Sequence, residues 1–553
     1  MKKQQALLII TLFLANLIPS FAQADNVEKT HTIQFFAHRG SRMEFDENTM
    51  EAFRATYDAG IRGYETDIRM TADGDLILSH DESLKRTCGV DMQTEDLTSN
   101  QCRKIRTLQG NKLVFAKELA KYLKDKDNMY VEWEIKTISS LYDEAKLEVL
   151  CKKLWKTVMP TKPEHSEYLF TSFDKRALRI MKKLHPEAIL MMLESKPCTK
   201  EIVDEALSMG IDRVGCIMDG TTRDVVHYAH DKGVIVSLWP GNCVADFLLG
   251  YAIGCDAMCC DRALEVGDWV LSNLPEVNLK GYEPAPDAPK HEGTHSSYTG
   301  ECPETVQFIG HRGGRFETDE NTLSAFQVSY ASGTRGYETD VHLSSDGELV
   351  ISHDSNLKRI FGVDLEVESS TAEQIRAVRN GFQHPVCFAS DLVDFLSDKP
   401  GIYIEWEIKT NEKLYDEARL EELCQKLYDL TNAHRPANAT IIYSSFDVRV
   451  LKVMRRLHPD ADIMLITGKP YCDDVRKTME ELGTHRAACN INGTRRADVR
   501  EAHKNGLFLN LWPIRNEEDF RLAVAVGADV FCLDAPFAAR EYQQKAFPLL
   551  KYK

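Results

Sequence analysis

The sequence predicts an α/β protein built from two tandem TIM (β/α)8 barrels, each carrying a small inserted subdomain. Three observations lead there: a long internal repeat, a copy length of roughly 250 residues, and extended apolar runs that alternate with helical patterns inside each copy. The repeat is set by His38-Arg39-Gly40, which returns as His311-Arg312-Gly313, an offset of 273. The same offset carries Glu47-Asn48-Thr49 onto Glu320-Asn321-Thr322 and Glu65-Thr66-Asp67 onto Glu338-Thr339-Asp340. It carries His80-Asp81 onto His353-Asp354, Glu132 to Lys136 onto Glu405 to Lys409, and Trp239-Pro240 onto Trp512-Pro513. So long a period means duplicated domains and not a solenoid.

In the first copy, extended candidates lie at 33–37, 64–70, 129–136, 168–173, 189–193, 213–218, 234–239 and 257–260, eight in all. Helical patterns fall between them, as at 47–58, opened by a cap-like Asp46, and at 139–155. Asp73-Gly74 and Asp346-Gly347 read as turns between extended runs. The stretch from about 81 to 127 is too long for a strand-to-helix connection, so it reads as a subdomain over the active face. The alternative architecture is an open doubly wound sheet. The first copy spans 25–280 and the second 304–553. Between them, 281–303 carries four prolines, three glycines and many polar residues, the composition of a linker.

The first 24 residues read as a secretory leader: Lys2 and Lys3, an apolar run from Ala6 to Leu17, and Ala22-Gln23-Ala24 as a cleavage pattern. The apolar run is short for a membrane span, so no stable anchor is expected after cleavage, and the product is periplasmic or secreted. Removing the leader takes two lysines and no acids, which moves the formal charge from -17 to -19. That balance argues against a general nucleic-acid binder. Fifteen cysteines over this length do not make a small disulfide scaffold, and Cys216, Cys259 and Cys532 sit in apolar runs as small buried hydrophobes. Cys88 and Cys102 lie close enough in sequence to form a bridge. No paired CxxC spacing suggests zinc.

In a parallel barrel the active face gathers residues from the C-terminal ends of strands. His38 and Arg39 follow the first strand. Glu65 and Asp67 stand two apart on the second, so both carboxylates face one side and Thr66 the other. Glu132, Glu134 and Lys136 repeat the device on the third strand, with Trp133 and Ile135 turned outward. Carboxylates from adjacent strands without matching thiols favour a hard cation such as Ca2+ or Mg2+. His38 and His80 are then available as general acid and base, because imidazole titrates near neutral pH.

These residues resemble the glycerophosphodiester phosphodiesterases. The motifs that carry the resemblance are HRG at His38, ENT with AF from Glu47 to Phe53, GYETD from Gly63 to Asp67, HD at His80 and EIK from Glu134 to Lys136. It continues through WPGN near Trp239 and the GCDAMCCD ending at Asp261, and it covers nearly all of both copies. The resemblance implies a TIM barrel with an insertion, one divalent cation per barrel, and hydrolysis of small glycerophosphodiesters to glycerol 3-phosphate and an alcohol. It implies Glu65, Asp67 and Glu134 as metal ligands, His38 and His80 as the acid/base pair, and Arg39 and Lys136 toward the phosphate. In the second copy the corresponding residues are Glu338, Asp340, Glu407, His311, His353, Arg312 and Lys409.

Some positions depart from the family pattern. Asp46 and Asp319 stand where proline is common, and Pro240 where threonine is common; the second copy has Ile360-Phe361 after Arg359 where the first has Thr87-Cys88. These changes bear on the rim and on substrate choice. Two competing functions remain: a phospholipase-type lyase that leaves a cyclic phosphate, which calls for an apolar or membrane-contacting rim, and a barrel that binds a phosphodiester without turning it over. A cyclic intermediate and direct attack by water are equally compatible with these residues.

Overall fold

The computed structural model describes residues 31–274, 276–284, 305–547 and 550–552. The expected leader lies outside the described residues, as does the expected linker from 285 onward. In the first copy β1 (His31–His38), β2 (Gly63–Met70), β3 (Tyr130–Ile135), β4 (Glu167–Ser172), β5 (Ile189–Pro197), β6 (Arg213–Ile217), β7 (Ile235–Gly241) and β8 (Ala257–Cys260) form one parallel sheet. β8 pairs with β1, and β1 pairs with β2 through Ala37 with Tyr64 and His38 with Glu65, so the sheet closes. Closure excludes the open doubly wound alternative. All eight expected strands are present.

The second copy repeats this with β9 (Thr305–His311), β10 (Gly336–Leu343), β11 (Tyr403–Ile408), β12 (Thr440–Ser445), β13 (Ile463–Ile466), β14 (Arg486–Asn490), β15 (Phe508–Ile514) and β16 (Val530–Leu533). It closes through Gly310 with Tyr337 and His311 with Glu338. Every residue of β2, β3, β10 and β11 is buried, which is what continuous pairing on both edges and helices outside require. Trp133 and Trp406 are among the largest fully buried side chains.

The insertion is a small body with its own core. Short helices at Lys85–Cys88 and Ser99–Cys102 close over Ile77, Leu84, Leu97 and Phe115. Cys88 and Cys102 are free thiols in that core, not a bridge. The second insertion packs Val350, Leu357, Phe361, Ile375 and Phe388 in the same way. The Asp73-Gly74 turn joins β2 to the antiparallel strand Leu76–Leu78.

Two helix starts differ from expectation. The helix expected from Glu47 begins at Met50, capped by Thr49, whose Oγ1 accepts from Ala52 N at 3.1 Å. Asp46 does not cap it, because its carboxylate accepts from Thr107 and Asn111 of the insertion. Glu47 and Asn48 are drawn to the barrel mouth, with Asn48 at φ 56°. The helix expected from 139 begins at Glu144, where Asp143 accepts from Lys146 N at 2.8 Å. At the other end, the first barrel continues past residue 280: Tyr282 is buried with its ring centroid 6.1 Å from that of Phe35, and Glu283 N donates to Gly60 O. Among the described residues, no helix is long and apolar enough to cross a membrane.

Candidate active site

The C-terminal ends of β1, β2 and β3 bring the expected residues together. Glu65, Asp67 and Glu134 each place a carboxylate oxygen within 4.8 Å of the other two, and all three residues are buried. Period-two alternation puts them on the inner face, while Thr66 points away to donate to Asn48 Oδ1 at 2.8 Å. Lys136 Nζ lies 2.7 Å from Glu134 and 3.4 Å from Asp67. Arg39, held at φ 52°, sets its Nε 3.2 Å from Asp67 and its Nη1 3.3 Å from Glu47. Asn48 Nδ2 donates to Asp67 at 2.8 Å.

Three carboxylates against two cations leave an uneven field. Burial, then the charges of Asp67 and Glu134, push Glu65 well above the usual carboxylate range, and burial also raises Glu134. Burial acts on Asp67 too, but Lys136 and Arg39 outweigh it and hold that group ionised, below its ordinary value. Glu65 Oε1 is buried without a hydrogen-bond partner, and so is Glu338 Oε1. An unpartnered buried carboxylate oxygen beside two more carboxylates fits a hard divalent cation. Cys259, whose thiol burial raises, forms with His38 and Glu65 a second group of donor atoms within 4.8 Å of one another.

The histidines flank the cluster. His38 Nε2 stands 3.5 Å from Glu65, and its Nδ1 lies 2.5 Å from Asp261, which also accepts from Arg42 Nε at 2.8 Å. Burial lowers the His38 pKa, and the hydrogen bond with Asp261 opposes that shift. His80 is a third exposed at the mouth, with Nδ1 2.7 Å from Asp81. Burial is the main cause that pushes it down to about 4. Arg86 ties Asp81 to Glu47, so the histidine is held from the insertion side.

The second barrel reproduces the arrangement. Glu338, Asp340 and Glu407 cluster within 4.8 Å; His311 lies 2.5 Å from Asp534 and 3.7 Å from Glu338; His353 lies 2.7 Å from Asp354. Lys409 approaches Asp340 at 3.0 Å and also pairs with Glu407, while Arg312 spans Asp340 and Glu320. Burial pushes Glu407 up to about 7. Glu132 and Glu405 lie deeper, bonded to Tyr130 and Tyr403, and burial pushes each to about 8.

All the expected site residues therefore converge. Local sequence pattern alone gives no role to Asp261, Asp81, Asn48, Glu47 and Arg86, or to their counterparts Asp534, Asp354, Asn321, Glu320 and Arg359. Their signal was their recurrence inside the same motifs at the same offset.

A model of the glycerophosphoryl diester phosphodiesterase family matches residues 38–265 and again 311–538. The chain belongs to that family. Each of its barrels accounts for one match, and the family places the chain among the phosphodiesterases of glycerophosphodiesters. A glycerophosphodiester phosphodiesterase of Caldanaerobacter subterraneus subsp. tengcongensis is 28% identical over 239 residues, covering 41% of this chain and 93% of that one. A lysophospholipase D of Mus musculus is 24% identical over 277 residues, covering 43% of this chain and 82% of its own length. The solved structure of an Oleispira antarctica phosphodiesterase in complex with the product sn-glycerol-3-phosphate is 22% identical, covers 43% of this chain and 96% of that one, and has a TM-score of 0.40.

Because the Asp261 carboxylate favours the charged imidazole, Asp261→Asn will lower the His38 pKa further below 6.5. NMR titration of histidine-labelled protein reads this, and an unchanged or raised value would contradict it.

Proposed function

We propose that each barrel hydrolyses glycerophosphodiesters to glycerol 3-phosphate and an alcohol. The observation that carries this reading is the cluster of three buried carboxylates flanked by two carboxylate-paired histidines, present twice. Glu65, Asp67 and Glu134 would hold one Ca2+ or Mg2+ in the first barrel, and Glu338, Asp340 and Glu407 one in the second. Such an ion, when bound, neutralises phosphoryl charge and eases deprotonation of a nearby hydroxyl.

The side chains supply the remaining work. Lys136 and Arg39, buried beside the cluster, orient the phosphate and stabilise charge developing on its oxygens. His38, with Nδ1 committed to Asp261, accepts at Nε2 the proton of the attacking hydroxyl, whether of the glycerol or of a water. As the new oxygen–phosphorus bond forms, the bond to the alcohol breaks, and His80 at the mouth gives that alcohol its proton. With the glycerol hydroxyl as nucleophile, the product is a cyclic phosphate that water opens with the two histidines exchanging roles. His311, His353, Arg312 and Lys409 do the same in the second barrel. Two such sets, rather than one set beside a degraded copy, support turnover over mere binding. The basic-then-apolar start, with its small-x-small cleavage pattern, supports export, and N-terminal sequencing of the exported chain should read Asp25 first.

Glycerol 3-phosphate release from a glycerophosphodiester panel should vanish with EDTA and return with Ca2+ or Mg2+. Glu65→Ala and Glu338→Ala should each remove one share of the rate and together all of it, at least about 100-fold. If either single change abolished all turnover, two independent sites would be wrong.

A further inference from the structure

The two barrels share their charged machinery but not the cavities beside it. We infer that the first cavity accepts a longer hydroxylated chain on the phosphate than the second, and that Ser237 and Asn510 set the difference. This rests on the reading of both clusters as phosphate sites.

The cavities have a common corner. Phe173 meets Trp239 edge to face at 5.9 Å, and Phe446 meets Trp512 at 5.7 Å. From that corner each cavity runs inward to the deep glutamate, and there the copies part. In the second barrel Asn510 on β15 donates through Nδ2 to both oxygens of Glu405, at 3.0 and 2.8 Å, while Tyr403 donates a third bond at 2.9 Å. Glu405 is thereby fully engaged and the floor is covered.

The equivalent of Asn510 on β7 is Ser237. Its shorter side chain does not reach Glu132, which takes a hydrogen bond only from Tyr130, at 2.6 Å. The Ser237 hydroxyl and the second oxygen of Glu132 therefore face the cavity as hydrogen-bonding groups. At the mouth, Ser195 in the first barrel corresponds to Gly468 in the second, which takes away another hydroxyl.

The apolar wall does not explain the change, because its substitutions compensate. Leu193 Cδ2 lies 2.4 Å from where a Cβ on Gly215 would stand, whereas the second barrel pairs Ile466 with Ala488. The bulkier floor residue is Asn510, and the inner part of the cavity, which reaches the deep glutamate, is about 210 Å3 in the second barrel against about 320 Å3 in the first, whereas the outer part is larger in the second, about 640 Å3 against about 380 Å3. At its floor the first thus has both more room for further hydroxymethylene units and more unengaged groups to bond them. In the second, Asn510 Nδ2 and Glu405 are bonded to each other, and of these two side chains Asn510 Oδ1 alone is left without a partner, so a longer chain finds one floor acceptor there against the Ser237 hydroxyl and the second Glu132 oxygen in the first.

The test is calorimetric titration of the full chain, in Ca2+, with glycerol 3-phosphate and with ribitol 5-phosphate. These monophosphates place a single organic group beside the phosphate. An Arg312→Ala/Lys409→Ala chain isolates the first barrel, and an Arg39→Ala/Lys136→Ala chain isolates the second. In the first barrel the two ligands should bind within about threefold of each other; in the second, ribitol 5-phosphate should bind about tenfold or more weakly. Adding Ser237→Asn to the first barrel should weaken ribitol 5-phosphate about tenfold relative to glycerol 3-phosphate, and Asn510→Ser should relieve the discrimination in the second. The paired exchange guards against a misfolded variant, since each new residue already stands at that position in the other barrel. Equal ligand ratios in the two barrels, or ratios that ignore both exchanges, would overturn the subsite assignment while leaving the phosphate sites intact. Binding of neither ligand to either barrel would overturn the reading of the clusters as phosphate sites and this inference with it.

Discussion

Gathering Glu65, Asp67 and Glu134 inside the end of a barrel places three like charges where water cannot screen them, with Arg39 and Lys136 set against them. Burial raises Glu65 and Glu134, and the two cations keep Asp67 ionised, so the cluster is not balanced by its own side chains. Much of the surrounding structure is arranged around that imbalance. Arg39 and Asn48 adopt left-handed backbone so that both reach Asp67, and Arg312 and Asn321 do the same for Asp340. Left-handed backbone is strained for such residues, arginine more than asparagine, and it persists where the surroundings over-determine it. Its presence at the same positions of both barrels ties that strain to the site.

The same economy governs the insertion. Arg86 bridges Asp81, which orients His80, to Glu47, which pairs with Arg39. A residue of the small cap is thus linked through carboxylates to both a histidine and a cation of the barrel. The Arg359, Asp354, Glu320 and Arg312 chain repeats it. The cap is part of the site's electrostatics as well as its cover.

Strand positions and inward-facing residues were legible because both follow from short-range periodicity: a two-residue repeat puts Glu65 and Asp67 on one face whatever lies elsewhere. The duplication sharpened this, since each strand could be read twice. What was illegible depended on distant partners. Asp261 acts on His38 only because β8 lies against β1, 223 residues later in the chain. The helix starts at Met50, later than local capping rules put it, because Glu47 and Asn48 are claimed by Arg39 and Asp67. The floor of each cavity was hidden for the same reason: Asn510 meets Glu405 across the barrel, and no local pattern marks Ser237 as its counterpart in a different role.

If each carboxylate cluster holds a cation, the chain carries two such sites. Calorimetric titration of the metal-stripped full chain with Ca2+, and separately with Mg2+, tests it without recourse to activity. Two ions per chain are expected, with Glu65→Gln and Glu338→Gln each reducing the count by one. Absence of binding by either cation, or binding untouched by both substitutions, would contradict it.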